Sequence, residues 1–470
     1  MTKTVLLCMA AVMASPAQTF TTLVTFDWMN GADPTYMSLT QGLDGAYWGA
    51  TTKGGSYGYG TVFKLAPARI DGCLLPFCFT TIHDFDQTDG SLPLGSLLLG
   101  LDGALYGTTE AGGTVAGPAE GGTVYRISST NALSTIYSFS SGVGSNPNAG
   151  VIEIDGGNFY GTTLYHGGLG SGTAYQLTTG GVLTTLHRFD YLGGPPNGAF
   201  PSAPLMQAAD GALYGTTVAG GTAPDGGDGE IFKIVLEGPD IGETVVASFD
   251  GTNGANPYAG LIQLPDGAFY GTASAGGANG KGTVFAVTPG GTLTTLHNFN
   301  TADGANPYGG LIQATDGNLY GTTLNGGASG YGTIFRITPG GALATLHSFD
   351  LTDGANPNGA LLQATDGNFY GATSAGGANG DGTLFQLSMG LRPFVKTVPT
   401  SGKVGAAVTI LGTHMLGPLS VTFDGIPAVI EGATLSAIFT SVPAGAATGE
   451  VAVTTADGTL LSNVVFTLIQ

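Results

Sequence analysis

The chain has 470 residues and sets 12 Lys plus Arg against 32 Asp plus Glu, for a formal charge of −20. So acidic a protein repels nucleic-acid phosphates unless bound cations intervene, and it avoids anionic membrane surfaces, while acidity suits solubility or divalent cations as partners. Hydrophobic residues make up 42% of the chain, ample for a large core, yet no uninterrupted apolar run reaches the roughly 18 residues of a membrane-spanning helix.

In chain order, Lys3, the apolar stretch "VLLCMAAVMA" and the small residues Ser15-Pro16-Ala17 predict a secretory signal peptide over residues 1–17. A lipoprotein reading through Cys8 is weaker, because Leu7 before it is bulky and the apolar stretch ahead is short. Removing residues 1–17 takes away Lys3 and no acid, so −20 becomes −21. Cys8 leaves with the signal, and Cys73 and Cys78 lie in "GCLLPFC", an insertion between two strands. In an exported protein these two are expected to form a disulfide. So small a loop adds roughly 2 kcal/mol in the chain-entropy account. Zinc would need further Cys or His ligands.

From here the chain repeats itself. An aromatic–Gly pair recurs at Trp48-Gly49, Tyr106-Gly107, Tyr160-Gly161, Tyr214-Gly215, Tyr270-Gly271, Tyr320-Gly321 and Tyr370-Gly371, with spacings of 58, 54, 54, 56, 50 and 50 between successive glycines. Four residues before the aromatic stands Asp44, Asp102, Asp210, Asp266, Asp316 or Asp366, each followed by Gly; the third copy has Gly156-Gly157 there, with Asp155 just before. Upstream lies Gly-x-x-Pro, as in Gly254 to Pro257, Gly304 to Pro307 and Gly354 to Pro357.

Each copy reads as four short strands. In the sixth they are "GLIQA", "NLYGTT", "GTIFRIT" and "LATLHSF", about five to seven residues each and rich in Thr, Ile, Leu and aromatics. Asp316-Gly317 between the first two is a hairpin signal of type I′, and Pro339-Gly340-Gly341 breaks the chain between the last two. Seven such copies predict an all-β chain folded as a seven-bladed β-propeller, with a linear β-solenoid as the alternative. The strand "TTLVTF" (Thr21 to Phe26) matches a fourth strand, while the last copy stops after its third, "GTLFQLS". Pairing the two would close the ring and hide two sheet edges. "GLIQA" is expected innermost and the Thr-rich fourth strand outermost.

After Met389 the composition shifts to short alternating strands split by Gly and Pro, including "VTILGT", "VTFDGIPA" and a closing "VVFTL". These residues, with Pro399-x-Ser401-Gly402, resemble an IPT/TIG immunoglobulin-like domain. The resemblance implies a β-sandwich over 391–470, of a kind that mostly stacks, spaces or docks protein partners. The repeats of 18–390 resemble the GloVer choice-of-anchor proteins, named after Gloeobacter and Verrucomicrobia, through Asp316 to Thr323 and Gly332 to Phe335. That resemblance implies an exported bacterial protein, secreted, periplasmic or on the cell surface, and assigns no catalytic residue.

Four histidines, His83, His187, His297 and His347, share one column of the fourth strand, where the other repeats hold Val24, Tyr137 and Ala247. Alternation puts His297 on the face of Thr295 and Phe299, so a packed or hydrogen-bonded His is expected rather than a metal ligand. "GGSYG" (Gly54 to Gly58) matches a nucleophile elbow in letters only, because that motif needs a strand–turn–helix setting. The recurrent Tyr reads as packing between blades rather than as a stacking site.

Loops after the second and fourth strands share one face and vary in length: Glu110 to Gly122, Val218 to Glu230 and Tyr191 to Pro201 are the long ones. Variable loops on a rigid frame are where function tends to sit. That face gathers Asp86, Asp89, Asp190, Asp225, Asp228, Asp250, Asp303, Asp353, Asn256, Asn306, Tyr258 and Tyr308. Carboxylates and amides suit Ca²⁺, and Asn or Asp beside aromatics suits sugar hydroxyls; equally, Asp, Asn and Gly are the residues of turns. The expectation is an exported, non-catalytic binding or scaffold protein that engages a glycan or protein through this face. The alternative is a polysaccharide lyase or glycoside hydrolase, which should show a unique acid, base or Tyr/His/Arg cluster that breaks the repeat.

Overall fold

A computed structural model describes residues 18–114, 121–154, 156–191, 198–221, 227–237 and 242–469. The expected signal peptide (1–17), Asp155, Asp225 and parts of the three long loops lie outside the described residues.

The repeats form seven four-stranded antiparallel sheets, each in sequence order from first to fourth strand. In the sixth, Ile312–Gln313, Leu319–Thr323, Thr333–Ile337 and Leu343–Ser348 are the four strands. The seventh sheet takes its fourth strand from the other end of the chain: Thr19–Thr25 pairs antiparallel with Thr383–Ser388.

The first strands are shorter than the sequence suggests, two residues in Ile262–Gln263, Ile312–Gln313 and Leu362–Gln363. The residues before them bond sideways instead. Thr272 Oγ1 donates to Gly309 O of the next repeat at 3.1 Å, and Thr322 Oγ1 to Gly359 O at 2.9 Å. In repeats two to six the Thr after Tyr-Gly thereby ties the inner segment of the neighbouring sheet.

The Asp-Gly hairpin also differs from a type I′ turn. Gly317 alone takes positive φ, +80°, and its amide donates to Ala314 O at 2.8 Å, so the turn spans Ala314 to Gly317. Asp316 instead caps the Asn318 amide with one carboxylate oxygen and accepts the Tyr320 hydroxyl with the other.

Two glycines explain how the sheets pack. A Cβ on Gly271 would sit 2.6 Å from Phe285 Cζ, so the third-strand aromatic can lie flat over the second strand only where glycine stands. A Cβ on Gly282 would sit 2.6 Å from Pro307 Cδ, the proline of the next repeat. Gly382 meets Pro34 of the first repeat in the same way, at 3.0 Å. Each of seven buried clusters draws on two consecutive sheets, and one joins Tyr370 and Leu384 to Met37, Leu39 and Phe63, the last repeat to the first.

Residues 396–468 add two further four-stranded sheets, which share a core of Val408, Ile410, Val421, Phe423, Ile438, Val451, Val453 and Phe466. This unit rests on the tight-turn ends of the first and seventh repeats. Ser436 Oγ donates to Leu43 O, and Lys396 Nζ to Gln363 O, both at 2.7 Å. Burial lowers the Lys396 ammonium to about 8. Cys73 and Cys78 are joined by a disulfide beside the first repeat.

Candidate ligand-binding site

The segment entering each first strand begins with the repeat's proline, and the residue that follows it changes from copy to copy. It is Leu94, Asn148, Ser202, Tyr258, Tyr308 and Asn358 in repeats two to seven; in the first, an inserted Thr35 separates Pro34 from Tyr36. Six of these seven positions converge on one cavity of about 340 Å³, to which all seven repeats contribute. Below the rim the walls are small and aliphatic, among them Gly95, Ala149, Leu261, Gly310 and Ala360.

Three phenols meet there. The Tyr258 and Tyr308 rings lie 4.9 Å apart, centre to centre, and Tyr36 lies 6.0 Å from Tyr308. Asn358, 7% exposed, accepts the Tyr36 amide at 3.0 Å through Oδ1, which fixes the rim between repeats seven and one. Burial, then the neighbouring phenols of Tyr308 and Tyr258, push the Tyr36 hydroxyl up to about 12. Burial likewise raises Tyr258. Both are therefore neutral at physiological pH and can donate as well as accept. Phenols, amides and hydroxyls around an apolar floor can grip an uncharged, hydroxyl-rich molecule or a polar side chain.

Of the residues singled out from sequence, Tyr258 and Tyr308 are thus brought together. The described acidic residues are not; they lie in the separate loops of their own repeats. Asp86 Oδ1 accepts the amide and hydroxyl of Thr88, and Asp250 Oδ1 those of Thr252; these bonds hold both carboxyls below the usual range. Asp89, Asp303 and Asp353 bond the histidines of the preceding strand: His83 at 2.6 Å, His297 at 3.0 Å and His347 at 2.8 Å. A register shift one residue before each His turns the ring toward its Asp. His187 lies 4.0 Å from Glu243 instead.

Asn256 and Asn306 donate inward, to Val218 O at 2.9 Å and Ser274 O at 3.0 Å. The Asp228 carbonyl accepts the Asn256 amide, and Asp190 follows the buried Phe189 at the edge of a described segment. Among the described residues, no three acidic, His or Cys side chains gather as a metal site would require. Ser56 of "GGSYG" sits in a loop and donates to Asp84 at 2.7 Å.

Tyr36, Asn148, Ser202 and Asn358 were not singled out from sequence. The inserted Thr35 shifts Tyr36 out of its column, and a column of unlike residues carries no repeat signal. Its variation between an invariant Pro and a small residue was the clue.

A family model described as the Gloeobacter/Verrucomicrobia repeat matches three overlapping stretches, 11–143, 76–263 and 224–409. The chain belongs to this repeat family. In Gloeobacter/Verrucomicrobia repeat terms, the matches span all seven sheets and reach into the first strands of the C-terminal unit. No curated protein matches the chain. Among solved structures, a Bacteroides fragilis protein provisionally named a 6-phosphogluconolactonase is 19% identical, covers 68% of this chain and 85% of its own, and has a TM-score of 0.45. An auxiliary nutrient binding protein of Bacteroides thetaiotaomicron is 10% identical, covers 76% and 69%, and has a TM-score of 0.40. A luciferin-regenerating enzyme is 14% identical, covers 64% and 92%, and has a TM-score of 0.39. At such values these likenesses decide neither ligand nor activity. Among the described residues, no helix is long and apolar enough to cross a membrane.

Proposed function

We propose that the chain is an exported binding protein of the cell surface or extracellular space, and that it holds a glycan in the cavity rimmed by Tyr36, Tyr258 and Tyr308. Residues 1–17 are its signal peptide, 18–390 a seven-bladed β-propeller closed by the N-terminal strand, and 391–470 an IPT/TIG immunoglobulin-like sandwich. The pairing of Thr19–Thr25 with Thr383–Ser388 and the Gly382–Pro34 contact support the ring. The two sheets around Val408 and Phe423 support the sandwich.

One observation carries the binding reading. The position after the repeat's proline, filled differently from copy to copy, lines the cavity, and there three aromatic rings stand with two amides and a hydroxyl. Aromatic faces and neutral hydrogen-bonding groups match the alternating C–H faces and hydroxyls of a pyranose. A protein side chain presenting an amide or hydroxyl is the other occupant this chemistry accepts.

A glycan array probed with residues 18–470 tests this, alongside the Tyr36→Ala and Tyr308→Ala variants. Selective binding that both variants lose supports the cavity as the glycan site. A blank array removes the glycan and directs the search to protein partners; binding that both variants keep places the site elsewhere.

A further inference from the structure

The first repeat breaks the pattern a second time, on the loops beside the cavity. Five loops that lead into a first strand share one backbone: Trp28, Gln87, Gly251, Thr301 and Leu351 all take positive φ, between 64° and 79°. In each, the carbonyl of that residue accepts the second glycine of the neighbouring Gly-Gly loop, as Trp28 O accepts the Gly55 amide at 2.7 Å and Thr301 O the Gly327 amide at 2.8 Å. The turn is therefore fixed by the main chain, and only its side chain varies. A bulky residue is disfavoured in this left-handed conformation, where Gly251 sits at no cost. Trp28 nonetheless occupies it with 47% of its surface exposed, and Met29 beside it is 70% exposed.

The adjoining loop has changed in the same sense. At the place of Tyr57, repeats five and seven carry Asn279 and Asn379, which turn inward and donate to Phe299 O at 3.0 Å and Phe26 O at 2.8 Å. Tyr57 is 63% exposed. A Cβ on Gly58 would lie 3.9 Å from Trp28 Cζ2, so the indole edge rests beside the loop that carries Tyr57. Two aromatic rings thus stand in water on a rigid backbone where sister repeats place smaller or inward-bonded side chains.

We propose that Trp28 and Tyr57 form a second, saccharide-stacking subsite on the face that holds the cavity, and that the ligand is an extended neutral polysaccharide spanning both. This rests on the reading of the cavity as a glycan site. One loop carries both features, since Trp28 and Tyr36 lie in the same connection between Thr25 and Thr40. Of the nearby carboxylates, Asp27 accepts the Asn30 amide at 2.9 Å through one oxygen and Asp84 the Ser56 hydroxyl at 2.7 Å through Oδ2. Two rings offer the area of one or two sugar units, far below the roughly 800 Å² that each partner buries in a stable protein interface.

The chain has two tryptophans, and Trp48 is 4% exposed, so quenching by acrylamide reports on Trp28. Residues 18–470 are titrated with soluble xyloglucan, galactomannan and dextran, and separately with poly-L-lysine, while retardation in polysaccharide-containing gels records binding by any site. The proposal expects one polysaccharide to retard the protein, shift its emission to the blue and protect Trp28 from acrylamide. Trp28→Ala should remove the optical signal, and Tyr57→Asn, the sister-repeat residue, should weaken binding roughly three- to tenfold. Retardation without protection of Trp28 overturns this subsite and leaves the cavity reading standing. No retardation by any polysaccharide overturns both. Protection by poly-L-lysine alone overturns the saccharide in favour of a cationic partner.

Discussion

The Tyr320 hydroxyl donates to Asp316 Oδ2 at 2.9 Å, four residues back across the hairpin that joins the first and second strands of its sheet. The bond recurs from Tyr106 to Asp102, Tyr214 to Asp210, Tyr270 to Asp266 and Tyr370 to Asp366, and from Trp48 Nε1 to Asp44 at 3.4 Å. It explains why an Asp and an aromatic recur at this spacing. The rings of Tyr106, Tyr214, Tyr320 and Tyr370 each pack on an aromatic of the next repeat, as Tyr320 does on Phe369 at 4.3 Å, and the one polar atom of such a buried ring needs an acceptor at the sheet edge.

Asp316→Ala leaves that hydroxyl without its acceptor and the hairpin without its cap, and is expected to cost about 1–3 kcal/mol of stability. Tyr320→Phe should cost less, and adding it to Asp316→Ala should cost less than the sum of the two. Denaturant unfolding of the three variants measures the coupling; strict additivity would show that the bond contributes nothing.

Gly271→Ala forces a methyl group to within 2.6 Å of Phe285 Cζ and is expected to destabilise by about 1–3 kcal/mol. In a Phe285→Leu background, where the ring is gone, the same change should be far milder. Thermal melts of the four proteins decide it.

Glu230 takes a position that is Thr61, Thr123, Thr173, Thr283, Thr333 and Thr383 in the other repeats, and it is fully buried. Burial, then the charge of Glu243, raise its carboxyl to about 8, against the Gly198 amide. Burial raises Glu243 to about 7. The folded chain therefore keeps these protons after the unfolded chain has released them. Their contribution to stability is full below about pH 4.5 and is lost as the pH rises through 7 and 8. Glu230→Thr should flatten that decline, by on the order of a few kcal/mol at pH 9. Equal slopes for wild type and variant between pH 5 and 9 would refute the assignment.

Tyr258→Ala is expected to weaken binding of any glycan identified on the array about tenfold, as expected for loss of one stacked ring. Asp250→Asn should leave the affinity unchanged with or without chelator, because Asp250 caps its own turn. Isothermal titration of both variants tests the contrast. A loss with Asp250→Asn that calcium restores would return the acidic loops to the site.

The repeat was legible because its packing demands are local and recur in every sheet. Glycine must stand under Phe285 and its six counterparts, Asp faces the aromatic in six copies, and Thr reaches the next inner segment in five, so each column recurs often enough to be read. The completion of the last sheet by Thr19–Thr25 was equally plain, since a missing fourth strand and a spare one can be counted. The hairpin was read less well. Whether Asp316 takes positive φ depends on the hydroxyl its carboxylate meets, and that partner is supplied by the folded sheet. The site was the least legible part. Asp86, Asp250 and Asn306 carry the residue types of a ligand surface, yet the two carboxylates are used by their own loops and the Asn306 amide by Ser274 O of the preceding repeat. Only the packing of the last sheet against the first brings Tyr36 beside Tyr308, 272 positions away in sequence, at one cavity rim. Local periodicity determines the sheets, because backbone pairing and close packing act between neighbours. Convergence at the centre was decided by the tertiary structure, because it depends on where the two ends of the chain meet.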